Sequence, residues 1–373
     1  MMGTNRNRAA SVSDALCALY ESYGFTQYNM SKFEAYDLYV RNKDFLISDS
    51  IITFTDTDGK LLALKPDVTL SIVKSGKDVP DTVQRVYYRE NVYRISKGTH
   101  TFREMPQTGL ECIGALDTFC LFDVIRLSCL SLSLISPDYV LDLSDLTPVS
   151  ALFAQLDLPK PQRDAMLKCI GEKNLHELRA LAQTAALDET AVRQLEALVS
   201  SAGRARDVLP RLRAVFTDEE SRAAFARFEA VLSLLEEAGL GDRIRLDFSV
   251  VSDMKYYNGF VFKGFVRGVP HSVLSGGQYD PLMRRMGRTS DAIGFAVYFD
   301  ELERYLSDDD PYDVDTLLLY DAETPPETLE RALQAIRATG VSVTAQRAQQ
   351  TSLRCRRVLK LENGEVKTVY EHA

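Results

Sequence analysis

Apolar and polar residues alternate most regularly over residues 85–114, and this pattern predicts two antiparallel strands joined by a polar loop. Val86, Tyr88 and Val92 lie at even positions of the first strand, as the apolar face of a half-buried strand requires. The loop, residues 95–101, contains Ser, Lys, Gly and Thr, which are usual turn residues. We therefore expect a hairpin with one face packed against the protein core.

The returning strand of this hairpin carries polar side chains on one face. Arg103, Gln107, Gly109 and Glu111 share that face because they lie at odd positions of an extended chain. Donors, an acceptor and a carboxylate around a glycine suit the floor of a pocket for a small polar ligand. The alternative is a solvated face of an antiparallel sheet, and this stretch alone does not decide between them.

Helical spacing of apolar residues organises the middle of the chain. A buried helix is expected over residues 116–133, and Ala, Leu, Arg and Glu dominate from 147 to about 239, which indicates an all-helical insertion. Strand periodicity returns at residues 244–250, and an acidic linker containing proline follows at 307–314. In the C-terminal part, Asn363-Gly364 predicts a tight hairpin turn. We therefore predict a body of residues 1–146 and 241–306, a helical insertion of residues 147–240, and a small C-terminal α/β unit of residues 312–373.

The composition excludes several classes of function. The chain has 373 residues and a net charge of −9, so a broad nucleic-acid or membrane-binding surface is not expected. Its six cysteines form no CxxC pair and only four histidines are present, so neither a metal site nor a redox centre is predicted. Because the N-terminus has no apolar leader and no run reaches transmembrane length, we expect a cytoplasmic protein.

Three further short stretches carry candidate chemistry. In KPDVT, Asp67 and Thr69 lie two residues apart; in an extended segment they would point the same way and could bind an amine, whereas the alternative is an ordinary helix cap. In YYNG, Tyr256 and Tyr257 would point to opposite faces of a strand, so that one packs in the core and the other offers its hydroxyl to a ligand. GGQYD begins with a glycine pair that indicates close backbone approach, without the spacing of a P-loop.

Six stretches occur in order: KPDVT, a strand ending in Tyr93-Arg94, FREMPQTGLE, YYNG, GGQYD and AIGFA. Together with the helical insertion, they resemble histidyl-tRNA synthetases and their paralogues over residues 10–305. The resemblance implies an α+β fold, a class II aminoacyl-tRNA synthetase-like antiparallel sheet flanked by helices. It implies that Arg94 matches the motif 2 arginine, which binds the α-phosphate of ATP in that family. The positions that hold histidine in the family match Asp67, Thr69, Gln107, Glu111, Tyr256 and Tyr257.

This chain departs from the synthetases at the nucleotide end of that site. Ser252 stands at the position of the catalytic arginine, Glu301 at the motif 3 arginine, and Gln278 at the arginine of the usual GGRYD. Lys263 replaces a glutamate. Activation of an amino acid by ATP needs positive charge where phosphate charge develops, and losing one such group costs roughly 3–4 kcal/mol. We therefore expect no catalytic residue, no cofactor, and a site that binds histidine without activating it.

The paralogous family that fits these departures is that of the ATP phosphoribosyltransferase regulatory subunits. By resemblance, such a subunit is non-catalytic and forms a homodimer through the N-terminal part of its body. It joins the short-form ATP phosphoribosyltransferase catalytic subunit in the first step of histidine biosynthesis, activates that subunit and mediates feedback by histidine. Residues 312–373 resemble a shortened anticodon-binding domain, so tRNA recognition is not expected.

Two alternatives stay open at this point. The first is a divergent histidyl-tRNA synthetase, which would need Arg103, Arg284 or Arg285 to replace the missing arginines in space. The second is another synthetase-like pseudoenzyme that binds an amino acid. Activity with ATP would favour the first alternative. Amino-acid binding without any effect on the phosphoribosyltransferase would favour the second.

Overall fold

The computed structural model describes residues 8–46, 51–95, 101–249, 256–306, 312–349 and 353–371. The chain divides into two compact units, Val12–Tyr305 and a smaller one formed by Leu306–Ala373 with Met1–Ser11. Helices and strands are mixed within the larger unit, and the predicted α+β class is confirmed. Ser252, at the position of the missing catalytic arginine, lies outside the described residues.

The larger unit is built on a nine-stranded sheet within the described residues. Its strands are β1 (Thr26–Gln27), β5 (Val83–Ile95), β6 (Phe102–Gly114), β7 (Tyr139–Asp145), β8 (Ala202–Arg204), β9 (Ile244–Asp247), β10 (Phe260–Val266), β11 (Leu274–Gln278) and β12 (Asp291–Tyr298). They lie in the order β1-β5-β6-β12-β11-β10-β7-β9-β8. The central strands, from β5 to β7, pair antiparallel, whereas β1 pairs parallel with β5 and β9 with β7.

The predicted hairpin of residues 85–114 is confirmed as β5 and β6. Val86, Tyr88 and Val92 are at most 4% exposed and belong to one core cluster of the larger unit. The two strands pair in unbroken register, so that Glu111 lies opposite Val86. Residues 96–100 of the predicted loop lie outside the described part of the chain.

A small antiparallel sheet lies elsewhere in the larger unit. It is formed by β2 (Phe33–Ala35), β3 (Thr53–Thr55) and β4 (Leu61–Leu64), with β4 in the middle. The helices outside the insertion are α1 (Arg8–Ser22), α2 (Tyr36–Arg41), α3 (Thr69–Ser75), α4 (Thr118–Ile135), α11 (Asp280–Arg285) and α12 (Phe299–Leu306). The first strand of the body after the insertion, predicted at 244–250, ends earlier, at Asp247.

Helix α4 is a core helix that begins two residues later than predicted. Asp117 caps it, because its carboxylate accepts the backbone N–H of Cys120 over 2.7 Å. By length and composition α4 could cross a membrane, which corrects the expectation that no run reaches that length. However, 67% of the helix is buried within the protein, and it packs against the sheet strands β7, β10 and β12.

The insertion is helical, with one short strand. Its helices are α5 (Leu146–Gln155), α6 (Lys160–Gly171), α7 (Leu175–Thr184), α8 (Glu189–Ser200), α9 (Ala205–Arg213) and α10 (Glu219–Glu237). The prediction of an all-helical segment is wrong for β8, which pairs antiparallel with β9. Three residues are too few to show strand periodicity, and β8 forms because the edge of β9 offers backbone partners. Phe228 of α10 lies 5.6 Å, between ring centroids, from Phe260 of β10, so the insertion shares a core with the sheet.

The smaller unit has its own sheet and core. β13 (Val314–Leu319), β14 (Val343–Gln346), β15 (Cys355–Glu362) and β16 (Glu365–Glu371) lie in the order β14-β13-β15-β16, with α13 (Pro326–Arg337) packed on one face. Asn363 and Gly364 turn the predicted hairpin between β15 and β16 with φ values of 52° and 82°. Positive φ at both positions is what a two-residue hairpin turn requires.

Candidate functional site

A cavity of about 610 Å³ lies on the face of the main sheet that presents Glu111. Strands β6 and β12 form its floor, where Glu111 pairs with Gly294 and Gln107 with Tyr298. Side chains from β10 and β11 and the start of α12 line its other end. The volume is typical of a small-molecule site.

The structure brings all six predicted histidine-binding residues to this one cavity. They come from three separate segments: the residues before and at the start of α3, strand β6, and the turn that precedes β10. Arg94 of β5 also lines the cavity, whereas Arg103 is exposed and does not. The lining residues that were predicted are Asp67, Thr69, Gln107, Glu111, Tyr256 and Tyr257.

Glu111 is the most deeply placed carboxylate of the cavity, 2% exposed. Thr69 donates its hydroxyl to Oε1 over 2.9 Å, and Tyr279 donates its hydroxyl to Oε2 over 2.7 Å. Burial, with a smaller contribution from the nearby Asp67 carboxylate, raises the pKa of Glu111 to about 8, although the two hydroxyl donors oppose the shift. Near neutral pH the Glu111 carboxyl can therefore hold a proton.

Asp67 lies in the cavity but not in the extended conformation that was one expectation. Val68 has α-helical dihedral angles, and α3 begins at Thr69. Oδ1 of Asp67 accepts the backbone N–H of Leu70 over 2.9 Å, so Asp67 also makes the helix-capping bond proposed as the alternative. Burial raises the pKa of the Asp67 carboxyl, while the Leu70 hydrogen bond and the Arg94 guanidinium lower it.

Gln107 carries a buried donor that needs a partner. Its side chain is 4% exposed, and its Nε2 has no hydrogen-bond partner among the described residues. A buried amide left without a partner costs about 1–3 kcal/mol, so such groups are normally satisfied by a ligand or by water. Gln107 is placed to donate to an acceptor on a bound molecule.

Tyr256 and Tyr257 precede β10 and do not lie on a strand, which corrects the expectation that they occupy opposite strand faces. Both pack against the same core cluster, with ring centroids 4.7 Å apart at an interplanar angle of 70°. The turn brings both rings to the cavity. Gly277 leaves space for Tyr257, because a Cβ added to Gly277 would lie 2.7 Å from the Tyr257 ring. Burial raises the pKa of Tyr256 well above its usual value, so its hydroxyl stays a donor.

Arg94 is held by the chain itself. Its Nε donates to the carbonyl oxygen of Pro66 over 3.0 Å. Asp300, at the start of α12, lines the same cavity, and its Oδ1 is buried without a hydrogen-bond partner among the described residues. Burial raises the pKa of Asp300, and the guanidinium groups of Arg94 and Arg103 oppose that shift. Two acidic side chains, Asp67 and Asp300, thus lie close enough to Arg94 for its charge to affect both carboxyl groups.

Of the residues that depart from the synthetase pattern, some line the cavity and others do not. Glu301 and Lys263 line the cavity, as expected. Gln278 does not, and the expectation that it represents a cation lost from the site is wrong. Its Oε1 accepts the backbone N–H of Phe260 over 3.0 Å and lies 3.5 Å from Nη2 of Arg227. Gln278 therefore connects β11, β10 and the helical insertion on the other side of the sheet.

The arginines that a divergent synthetase would need are not among the described residues that line this cavity. Arg284 forms an ion pair with Asp291 over 2.7 Å, and Arg285 donates to the carbonyl oxygen of Arg41. Arg103 is exposed. Within the described ranges, no three His, Cys, Asp or Glu side chains cluster as metal ligands.

Sequence reasoning missed several residues of the cavity. Tyr279, which bonds Glu111, was visible in GGQYD but received no role. Ser275 and Tyr298 form a hydroxyl pair 2.6 Å apart on its floor, and nothing in their local sequence marks them. His271 also lines the cavity and stands in a loop without a motif.

The fold and cavity define a class II aminoacyl-tRNA synthetase-like protein, with an antiparallel sheet that presents carboxylates, hydroxyls and an arginine to one pocket. The chain belongs to the histidyl-tRNA synthetase family, whose model matches residues 4–302. This family membership agrees with the resemblance carried by the six sequence stretches.

Curated relatives have a more specific description. The chain is 25% identical over 350 residues to the ATP phosphoribosyltransferase regulatory subunit of Clostridium kluyveri, covering 90% of this chain and 88% of that protein. It is 25% identical over 299 residues to the regulatory subunit of Oceanobacillus iheyensis, covering 79% of this chain and 73% of that protein. The expected likeness to this group of paralogues is confirmed.

Solved structures agree with the fold. An ATP phosphoribosyltransferase regulatory subunit/histidyl-tRNA synthetase from Bacillus halodurans matches with a TM-score of 0.77 and 25% identity, over 92% of this chain and 91% of that chain. A histidyl-tRNA synthetase from Nostoc matches with a TM-score of 0.77 and 17% identity, over 99% and 94%. A chain of the ATP phosphoribosyl transferase (HisG:HisZ) complex from Thermotoga maritima matches with a TM-score of 0.62 and 17% identity, over 78% and 97%.

Proposed function

We propose that this chain is a non-catalytic regulatory subunit that binds and activates a short-form ATP phosphoribosyltransferase catalytic subunit and conveys feedback by histidine. The descriptions of its relatives support a regulatory subunit, and the structure of such a complex supports a catalytic partner. Activation and histidine feedback are the parts that go beyond those comparisons.

The observation that carries this proposal is that the two ends of one cavity are lined by different kinds of side chain. At one end, Thr69 and Glu111 share a buried hydrogen bond, and Gln107 adds a buried donor farther along β6, opposite Tyr298; these polar groups suit an imidazole and an amino acid backbone. At the other end, Asp300 and Glu301 line the cavity, and Glu301 stands at the position of the synthetases' motif 3 arginine. Negative side chains at that place oppose the reaction of ATP and leave amino-acid binding intact.

The chemistry of the first end explains why histidine is the proposed effector. A carboxylate that is deeply buried among hydroxyls can bond an imidazole N–H, and Asp67 can pair with an ammonium group. Gln107 supplies a donor to the carboxylate of the ligand. No cofactor is needed for this binding role.

A homodimer in a cytoplasmic setting is part of the proposal. The small sheet of the N-terminal part exposes Phe33 and Phe54, which are 47% and 37% exposed and whose ring centroids lie 5.6 Å apart. An exposed aromatic pair supports a surface that a second copy covers.

A reconstituted complex tests the proposal. The full chain is mixed with the short-form catalytic subunit from its own cell, and the rate of ATP phosphoribosylation is measured with and without histidine. We expect stimulation that millimolar histidine reverses. Absence of stimulation would remove the partner claim, and robust histidine-dependent ATP–pyrophosphate exchange by the chain alone would favour the divergent synthetase.

A matched pair of variants separates the partner from the effector. Asp67→Asn keeps an oxygen that can cap α3 but removes the carboxylate charge from the cavity. We expect it to stimulate the catalytic subunit and to respond to histidine only at higher concentration. Asp58→Asn, on an exposed turn, should behave as the unmodified chain.

A further inference from the structure

We infer that Arg94 is a positioning residue for the amino-acid end of the cavity: through its bond to Pro66 it holds the segment that presents Asp67 and Thr69. The inference rests on the proposed histidine site for its ligand. It assigns Arg94 a function different from the phosphate binding that its place in the family implies.

Strand β5 holds the segment that precedes α3 at three successive points. Glu90 pairs with Nζ of Lys65 over 2.5 Å, and the backbone N–H of Tyr93 donates to the carbonyl oxygen of Lys65 over 2.9 Å. Arg94 makes the third contact, from Nε to the carbonyl oxygen of Pro66 over 3.0 Å. Arg94 is thus the last of three contacts that fix this segment, and it is the one next to Asp67.

The segment that Arg94 holds continues directly into two residues of the cavity, Asp67 and Thr69. Asp67 follows Pro66, and its Oδ1 accepts the N–H of Leu70, which sets the first turn of α3. Thr69, in that turn, donates to Glu111. A shift of the Pro66 carbonyl would therefore displace two of the side chains that meet the proposed ligand, Asp67 and Thr69.

The charge of Arg94 also has partners inside the chain. Its guanidinium lies close enough to Asp67 and Asp300 to influence both carboxylates. Asp300 lines the same cavity as Arg94, so the guanidinium has a carboxylate neighbour within the chain. This arrangement suits a fixed structural cation better than an anion-binding one.

The length of the side chain allows a sharp test. Glutamine places its Nε2 at the same number of bonds from the backbone as Nε of arginine, so Arg94→Gln keeps an N–H for Pro66 and removes the charge. Arg94→Met has the same reach without a donor. Arg94→Lys keeps the charge but has a methylene at the donor position. Arg89→Met is the control, because Arg89 lies on the same strand with an exposed side chain that pairs with Asp14.

The first measurement needs no ligand. Hydrogen exchange of the Leu70 amide in the full chain reports whether Asp67 still caps α3. We expect exchange about fivefold faster in Arg94→Met than in the unmodified chain, and within about twofold in Arg94→Gln and Arg89→Met. Equal exchange in Arg94→Met and Arg94→Gln would overturn the inference, because the donor to Pro66 would then make no difference to the cap of α3.

The second measurement is the Kd for histidine by calorimetry. We expect Arg94→Gln to bind within about twofold of the unmodified chain, and Arg94→Met about fivefold more weakly. If Arg94→Met does not fold, Arg94→Gln must bind more tightly than Arg94→Lys, and the reverse order overturns the inference. Failure of the unmodified chain to bind histidine would remove the proposed ligand, while the exchange result would still decide the role of Arg94.

Discussion

The hydroxyl of Tyr279 lies 2.7 Å from Oε2 of Glu111, although the two residues are 168 positions apart in the chain. Thr69 donates to the other carboxylate oxygen, so Glu111 joins β6, α3 and the residue before α11 in one network. This network fixes the shape of the cavity before any ligand enters. It also makes the protonation of Glu111 depend on the hydroxyl groups of Thr69 and Tyr279, which bond its two oxygens.

The pH dependence of stability should report the state of Glu111. Its pKa is raised from 4.5 to about 8 by burial, so the folded chain holds a proton that the unfolded chain releases. The stability that this proton contributes is fully present below pH 4.5 and is lost as pH rises through about 8. In Glu111→Gln this loss should be absent. The melting temperature of both proteins, measured from acid to alkaline pH without histidine, checks this, and parallel profiles would contradict it.

Histidine should stabilise the folded chain in proportion to its occupancy of the cavity. At one hundred times its Kd, a ligand adds about 2.7 kcal/mol, which raises the melting temperature by several degrees. In Asp67→Asn the loss of one charge-assisted contact should weaken histidine binding by about tenfold or more. Titration by calorimetry with Asp58→Asn as the control tests both statements, and a heat-free titration of the unmodified chain would exclude the ligand.

Lys65 and Glu90 should be strongly coupled in stability. Nζ of Lys65 lies 2.5 Å from Oε2 of Glu90, and the two side chains are 1% and 16% exposed. Glu90→Gln leaves a buried ammonium without its counter-charge, which costs about 3 kcal/mol. The double variant with Lys65→Met should recover much of that loss. Denaturant unfolding measures it, with Glu34→Gln as the control because its partner Lys74 is 47% exposed and such pairs contribute about 1 kcal/mol or less.

Local sequence predicted the elements of this fold better than their mutual placement. The alternation in β5 and β6 and the turn at Asn363-Gly364 are local signals, and both predictions were confirmed. Successive residues of a strand point to opposite faces of the sheet. Because Gly277 lies against Tyr257 on the cavity side, its neighbour Gln278 points to the other side, and the prediction that Gln278 belongs to the site was wrong.

For the site, too, the residues were predicted better than their placement. The six proposed histidine contacts could be predicted because each stands in a short stretch that resembles the family. The sequence left open whether Asp67 lies in an extended segment or caps a helix; the backbone closes into α3 directly after it, so its carboxylate makes the cap while it also lines the cavity. Tyr279 gained its role only through the pairing of distant strands, which no local pattern encodes.

Gly294 should be required for the cavity, because no side chain fits where it meets Glu111. It lies opposite Glu111 in the sheet, and a Cβ there would be 1.7 Å from Oε2 of Glu111 and 2.5 Å from the carbonyl oxygen of Leu110. Gly294→Ala should therefore destabilise the fold by about 1–3 kcal/mol and abolish histidine binding, since the carboxylate must move. Gly24→Ala is the control: its φ of 81° makes alanine costly by about 1–2 kcal/mol, yet no atom lies within 4 Å of the added group. Equal histidine affinity in the two variants, measured by calorimetry at matched folded fractions, would show that Gly294 does not shape the site.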